Sequence, residues 1–342
     1  MVNPIFIKSN NLLIFWCFLL RISIMDIKTQ RQIEKILGSA IVSSERIGGF
    51  SAENYIVKTK DNHKFVAKIL RNNANDYVNQ IEKVSRLFNN KSGKFFTKPI
   101  QEDVKHKIII SKFIKGDVLH GDDIKEYFYE PVAKVLRRYE HIKPNDNLKT
   151  SFDLYFNIKS SQNKINDIKS KLKKTDSYYE LVKNILDLKT SILNKYKKND
   201  DLVKWIKNSN SFVHGDFHNE NILFSKSGVK AILDFELSHK GNSAEDMINF
   251  VWFAFLNNDL SDKSLSKARD FLKTCENVAK VSKTDLENAF KLTFLRFVQS
   301  SVLEKSLIEY KEPFYEGLLK RDLKKFKEID NNMQTILKKL LA

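Results

Sequence analysis

The sequence predicts an α+β protein in two lobes, a small antiparallel-sheet lobe followed by a larger, mostly helical one. Three observations carry that prediction. Apolar, β-branched runs between residues 45 and 70 are joined by a Gly-rich turn and an Asp-Asn turn, the pattern of paired strands. Beyond about residue 122 the apolar residues fall three and four apart, the period of helices. Within that helical stretch, residues 211–236 alternate apolar triplets with turns and read as a strand-bearing interruption. A length of 342 residues favours two domains over one. The divisions read as an extension over 1–24, a first lobe over 25–114, a linking segment near 110–116 and a second lobe over 117–342. A cleft between such lobes is the expected place for an active site.

Taken in order, Ile33 to Leu37 reads as a short helix closed by Gly38, a suitable C-cap. Glu45-Arg46-Ile47, the turn Gly48-Gly49-Phe50-Ser51, Asn54 to Lys58, the Asp61-Asn62 turn and Phe65 to Leu70 form a three-strand meander. In residues 75–88, Val78, Ile81, Val84, Leu87 and Phe88 have helical spacing, with Glu82 at the edge of their stripe. A second strand pair is expected around Phe95-Phe96 and from His106 to Phe113, with the charged turn Glu102 to Lys105 between them. Ile110 to Gly116, ISKFIKG, leaves that sheet with no helical period and is a candidate hinge. Ile165, Ile168 and Leu172 mark one later helix and Leu181 to Leu193 another. Helical period returns over 244–256 and 286–340.

The net charge of +17, from 59 Lys and Arg against 42 Asp and Glu, attracts nucleotides, nucleic acid or anionic lipid without choosing among them. No zinc-finger spacing or aromatic-glycine RNA-binding signature accompanies it, which argues against a dedicated nucleic-acid binder. Cys17 and Cys275 lie far apart with no C-x-x-C pattern. Neither a disulfide framework nor a cysteine zinc site is indicated, and the reducing cytoplasm is the simpler compartment. Leu12 to Leu20, LLIFWCFLL, is the one membrane-like run, shorter than the roughly 20 apolar residues a span requires. Lys8 and Arg21 flank it and no small-x-small cleavage site follows. Three readings stay open: a poorly ordered or misannotated extension before a true start at Met25, a helix docked onto the body, or an anchor at a membrane surface.

The strongest chemical signal is FVHGDFHNENILF over 212–224, followed closely by VKAILDFE over 229–236. Each is an apolar, strand-like run around polar residues, so a hairpin-like pairing would present His214, Asp216, His218, Asn221 and Asp234 near one another. Phosphoryl transfer calls for a carboxylate near the attacking hydroxyl and for oxygen ligands to magnesium. Asn221 with Asp234 suits the metal, and Asp216 is left for the base. A histidine metal site on His214 and His218, four apart, is disfavoured by strand-like flanks and the missing glutamate of H-E-x-x-H.

Here the sequence resembles the aminoglycoside phosphotransferase and choline kinase family, whose fold is like that of the protein kinases. The family's H-G-D-x-H-x-x-N stands as His214 to Asn221, and its I-x-D-F/W-E as Ile232 to Glu236. The resemblance, over about residues 35–330, implies that Asp216 is the catalytic base and that Asn221 and Asp234 ligate the metal. It makes His214 and His218 residues that fix the catalytic loop. A downstream G-x-x-x-x-D, Gly241 to Asp246, marks Asp246 as the family's structural acid.

The resemblance also orders the first lobe as a nucleotide-binding one. Gly48-Gly49-Phe50-Ser51 lets backbone N–H groups approach phosphates, although it is neither G-x-x-x-x-G-K-S/T nor the full G-x-G-x-x-G of protein kinases. Lys68, in V-A-K-I, would hold the α- and β-phosphates, positioned by Glu82, the only glutamate between Glu53 and Glu102. The Ile110 to Gly116 segment, with Ile110, Lys112 and Phe113, would hold adenine through its backbone. The helix VAKVLRRYEH over 132–141 departs from the family's Leu-His ending, because Tyr139 and Glu140 precede His141. The function implied is an ATP- and Mg2+-dependent kinase for a hydroxyl of choline, ethanolamine, thiamine, homoserine, a sugar or an aminoglycoside. Tyr310, Phe314, Tyr315, Glu304, Glu309 and Glu312 are candidates to meet a cationic acceptor. The alternatives are a kinase-fold binding protein without activity and a kinase working at a membrane or nucleic-acid surface.

Overall fold

The computed structural model describes residues 25–48, 52–71, 74–88, 95–144, 147–155, 158–197 and 199–342. The Leu12 to Leu20 run, Cys17, Gly49, Phe50 and Ser51 lie outside the described residues. The fold is α+β, as the sequence predicts. By contacts it forms two compact units: the chain up to Glu82 with Thr97–Lys115, and Lys83–Phe96 with Gly116–Ala342.

The first unit begins with α1, Ile27–Leu37, whose N-cap Asp26 accepts the Lys28 and Thr29 amides at 3.0 Å each. That cap starts the helix earlier than the apolar spacing alone suggests, while Gly38 closes it at φ 64°. Next come β1 (Ile41–Gly48), β2 (Ala52–Thr59), β3 (Lys64–Leu70), α2 (Ala74–Leu87), β4 (Pro99–Asp103) and β5 (Ile108–Lys112). The strands form one antiparallel sheet in the order β1-β2-β3-β5-β4. Side chains alternate between its faces. Tyr55, Val57, Ala67, Ile108 and Ile110 bury with Ile33 of α1, and Ala52, Leu70 and Ile109 with Val78 of α2.

One strand differs from the expectation. Phe95 and Phe96 lie before β4, which starts at Pro99 on the sheet edge, where a residue without an N–H is tolerated. Their aromatic character reflects packing of another kind: Phe96 makes a single parallel bridge to Ile232 and stacks on Phe88 at 4.8 Å.

The second unit is mostly helical. Its helices are α3 (Tyr129–Glu140), α4 (Ser151–Tyr155), α5 (Ile158–Lys171), α6 (Tyr179–Tyr196), α7 (Asp200–Asn208), α8 (Ala244–Ala254), α9 (Asp262–Ala279), α10 (Lys283–Gln299), α11 (Val302–Tyr310) and α12 (Pro313–Leu340). Between α7 and α8 run four short strands, β6 (Ser211–Val213), β7 (Ile222–Ser225), β8 (Gly228–Ile232) and β9 (His239–Gly241). They pair as β7 with β8 and β6 with β9, both antiparallel. Edge-to-face rings of Phe88, Tyr139, Phe212 and Phe235 form an aromatic core beneath these strands. Tyr139, the residue that breaks the Leu-His pattern, is one of its fully buried members. Among the described residues no helix is long and apolar enough to cross a membrane.

Candidate active site

Strand register builds the site. Val213 pairs with His239 and Ile222 with Ile232, so residues 214–221 and 233–238 form two facing loops. The Leu233 amide donates to the Asn221 carbonyl at 2.8 Å, which extends the hairpin to the foot of Asp234. Gly215 takes φ 82°, and a Cβ there would meet the Leu237 carbonyl oxygen at 2.2 Å. Only glycine fits.

His214 is fully buried, and its ring and backbone brace the loop. Its Nδ1 accepts from the Asp216 amide at 3.2 Å and its Nε2 faces the Leu233 carbonyl at 2.9 Å. The proton therefore sits on Nε2. Burial holds the imidazole neutral, its pKa pushed down to about 4 despite the nearby Asp216 and Asp234 carboxylates. Asp246 of α8 accepts the His214 amide at 2.7 Å and the Gly215 amide at 2.9 Å. Burial raises its carboxyl to about 7, against those two bonds and the charge of His239.

Asp216 follows on this clamped backbone with its side chain 30% exposed. Its Oδ2 accepts from Asn221 Nδ2 at 2.9 Å, and the same amide reaches the Asp216 carbonyl at 2.9 Å. His218 Nδ1 accepts the Glu220 amide at 3.3 Å, and its Nε2 lies 3.1 Å from Asn221 Nδ2 and 3.5 Å from Asp216 Oδ2. The His218 ring packs on Phe253 at 4.7 Å. Burial works to raise the Asp216 carboxyl. The His218 hydrogen bond, with the positive charge of Arg296, outweighs it and leaves the group below its usual range. The result is an ionised, partly open carboxylate.

Asn221 and Asp234 fit a magnesium ion by donor chemistry. With Nδ2 of Asn221 turned to Asp216, its Oδ1 is the donor that remains, and Asp234 adds a carboxylate from a left-handed backbone at φ 62°. Among the described residues no cluster of three His, Cys, Asp or Glu side chains could hold a metal alone. A site with two protein ligands, completed by phosphate and water, is what a hard cation such as magnesium accepts.

In the first unit, Lys68 lies on β3 between Asn54 of β2 and Ile109 of β5, with Nζ 4.7 Å from the Tyr77 ring centroid. Glu82 is exposed on α2, and its charge joins burial in raising Glu102. Gly48 ends β1. Ile110 is buried in the sheet core and Lys112 is the last residue of β5. The Phe113 amide donates to the Lys64 carbonyl at 3.3 Å, so that N–H is committed within the sheet.

With the geometry in place, comparison decides the family. The sequence profile of the phosphotransferase enzyme family matches residues 44–262, more than half of the chain. The chain belongs to that family. Solved structures share its fold at low identity. An ethanolamine kinase from Plasmodium vivax superposes with a TM-score of 0.61 at 16% identity, over 93% of this chain and 89% of the other. A choline kinase from Streptococcus pneumoniae gives 0.58 at 16%, over 88% and 99%. An ADP-bound aminoglycoside phosphotransferase gives 0.57 at 16%, over 88% and 99%. No curated protein matches the sequence.

Sequence reading missed several supports of this site. Arg296 of α10 donates to the Gly215 carbonyl at 2.8 Å, so the Gly215 peptide is held from both sides. Nothing in the helical period of 286–340 distinguishes that arginine from a solvated one. His239 and Glu245 pair in full burial at 3.1 Å. The motif G-x-x-x-x-D spans that glutamate without naming it. Glu304, a candidate for a cationic acceptor, is buried in an ion pair with Lys189, which also donates to the Ser300 carbonyl at 2.6 Å. It belongs to the core and not to an acceptor surface, whereas Tyr310, Glu309 and Glu312 are exposed.

Proposed function

We propose that the protein transfers the γ-phosphoryl group of ATP, with magnesium, to a hydroxyl of a small molecule. The observation that carries this reading is the ionised Asp216 carboxylate, hydrogen-bonded at 2.9 Å to Asn221 on the hairpin that also bears Asp234. Asp216 accepts a hydrogen bond from the acceptor hydroxyl, aims its oxygen at the γ-phosphorus and takes the proton as the new P–O bond forms. Asn221, whose Nδ2 steadies Asp216, and Asp234 are the metal ligands. Magnesium, when bound there, neutralises charge on the phosphates. Lys68 holds the α- and β-phosphates, with Glu82 to position it, and backbone groups of 110–116 hold the base. The products are a phosphomonoester and ADP. The reducing cytoplasm suits Cys275, a free and buried thiol.

The acceptors that the reading allows are amino alcohols such as choline and ethanolamine, thiamine, homoserine, sugars and aminoglycosides. An ATP-consumption screen of the purified protein against these classes, with 31P NMR of the products, tests it. Magnesium-dependent phosphomonoester from one class, abolished in Asp216→Asn, is the expected result. A monodisperse protein that binds no nucleotide and consumes none with any acceptor would sink the reading.

A further inference from the structure

Beneath the catalytic loop lies a charge pair that phosphoryl transfer itself does not use. His239 and Glu245 are both buried, on β9 and on the first turn of α8. The His239 ring faces an acceptor at each nitrogen: the Leu237 carbonyl lies 2.8 Å from Nδ1 and Glu245 Oε2 lies 3.1 Å from Nε2. A carbonyl oxygen cannot donate. Glu245 is in turn shaped as a carboxylate, because its Oε1 receives the Ser151 hydroxyl at 2.7 Å and the Asn242 amide at 2.9 Å. Burial would raise that acid. The His239 hydrogen bond and charge, with the Asn242 and Ser151 bonds, hold it below the usual range instead. A ring with a single proton would leave one buried nitrogen lone pair facing an oxygen, an unmatched polar contact of the kind folded proteins avoid. Against an ionised Glu245, both contacts are matched when each ring nitrogen carries a proton.

The pair also touches both ends of the loop. His239 is the strand partner of Val213, the residue before His214. A Cβ on Gly215 would come within 2.8 Å of His239 Nδ1, and one on Gly241 within 2.3 Å of Glu245 Oε1. Each glycine thus leaves the space that the pair and its partners fill. Asp246, the neighbour of Glu245, takes the amides of His214 and Gly215. Other polar groups facing this cluster include Ser151 of α4, Asn242 with its partner Asp285 of α10, Ser238 on the His214 carbonyl, Arg296 on the Gly215 carbonyl, and the Tyr139 phenol of α3, which feels the charge of Asp246.

We propose that His239 is a positioning residue, held as a buried imidazolium by Glu245, that keeps the His214-Gly215-Asp216 backbone in its working geometry. Its cation also favours the ionised form of Asp246 against burial, and that form best holds the two loop amides. Only the kinetic part of the proposal rests on the phosphotransferase reading.

The test uses the full chain labelled with 15N-histidine. With 7 histidines present, His239→Gln assigns the signal by its disappearance. The expected result at neutral pH is a ring with two nearly equal nitrogen shifts. A widely split pair, the mark of a neutral tautomer, overturns the proposal. Amide exchange needs no acceptor: His214 and Gly215 should exchange at least about tenfold faster in His239→Gln and in the isosteric Glu245→Gln, as loss of a loop hold requires. Unchanged protection in both variants overturns the positioning role. In turnover, the variants should lose about tenfold or more in kcat, with KM for ATP within about twofold. An imidazolium signal with unchanged kcat also refutes it. If His239→Gln fails to fold, the histidine signal that shifts in Glu245→Gln is the one read in the wild type, and that variant's exchange and turnover decide. If no acceptor is ever phosphorylated, the spectrum and the exchange rates still decide, so the two failures are told apart.

Discussion

His214 offers a prediction whose size follows from the site. The ring is fully buried, and burial takes its pKa from 6.5 to about 4. A histidine with a depressed folded pKa contributes stability that is present above pH 6.5 and lost as pH falls through 4. The gap, at about 1.4 kcal/mol per pH unit, corresponds to about 3 kcal/mol. Asp246 acts in the opposite sense. Its pKa rises from 3.8 to about 7, so its contribution is present below pH 3.8 and lost as pH rises through 7, a swing of about 4 kcal/mol. In the wild type the two slopes largely offset one another, and a variant of either residue exposes the other. Gln at position 214 can accept the Asp216 amide and donate to the Leu233 carbonyl but cannot take up the proton. Urea unfolding of wild type and His214→Gln from pH 7.5 to 4.5 should show the stability difference between them shrinking by about 2 to 3 kcal/mol as the pH falls. For Asp246→Asn the difference should move the other way. A difference for His214→Gln that stays constant across that range would refute the neutral, buried assignment.

Asp216→Asn should reduce turnover by about 100- to 10,000-fold while magnesium-supported binding of a non-hydrolysable ATP analogue stays near wild type, as calorimetry would show. Asp234→Asn should instead shift the magnesium requirement upward and weaken that binding; the reverse pattern would exchange the two roles. Lys68→Ala should impair ATP use far more than folding, and a monodisperse mutant turning over at the wild-type rate would contradict the phosphate assignment. Gly215→Ala should cost both activity and stability by more than about 2 kcal/mol, since its Cβ would meet the Leu237 carbonyl oxygen at 2.2 Å and its φ of 82° strains any side chain. Unchanged thermal unfolding of that variant would contradict the loop geometry.

The chemistry of the site is legible in the sequence because its residues are neighbours along the chain. Asp216, His218 and Asn221 lie within one turn-rich segment, and Asp234 follows after a single hairpin, so a local pattern suffices to name them. The five-strand sheet is nearly as legible, because Asn54 to Lys58 and Ile108 to Lys112 are short apolar, β-branched runs bounded by polar turns. What the pattern hides is any support delivered from a distance. Arg296 reaches Gly215 across 81 residues and looks like any other helical arginine. The Phe95-Phe96 pair misleads for the same reason: Phe96 serves an aromatic cluster with Phe88 and Phe235, and Phe95 lies against the Arg138 guanidinium. Glu304 reads as an available carboxylate until Lys189, on a helix far earlier in the chain, is found beside it.

These distant contributions have a common electrostatic purpose. Asp216 and Asp234 both act on the His214 ring, and Asp246 and Glu245 lie behind the same loop, so four carboxylates converge on a few residues of backbone. Burial works to protonate Asp216, Glu245 and Asp246, and at Asp246 it prevails, raising the carboxyl to about 7. His214 cannot help, being neutral. The opposition comes instead from the Arg296 charge and the His218 hydrogen bond at Asp216 and, in the imidazolium form proposed above, from His239 at Glu245 and Asp246. A motif that names only the acids therefore describes half of a balance. The other half depends on how α10 and β9 pack, which is why a reader of the sequence meets the Asp216 carboxylate long before the groups that act on it.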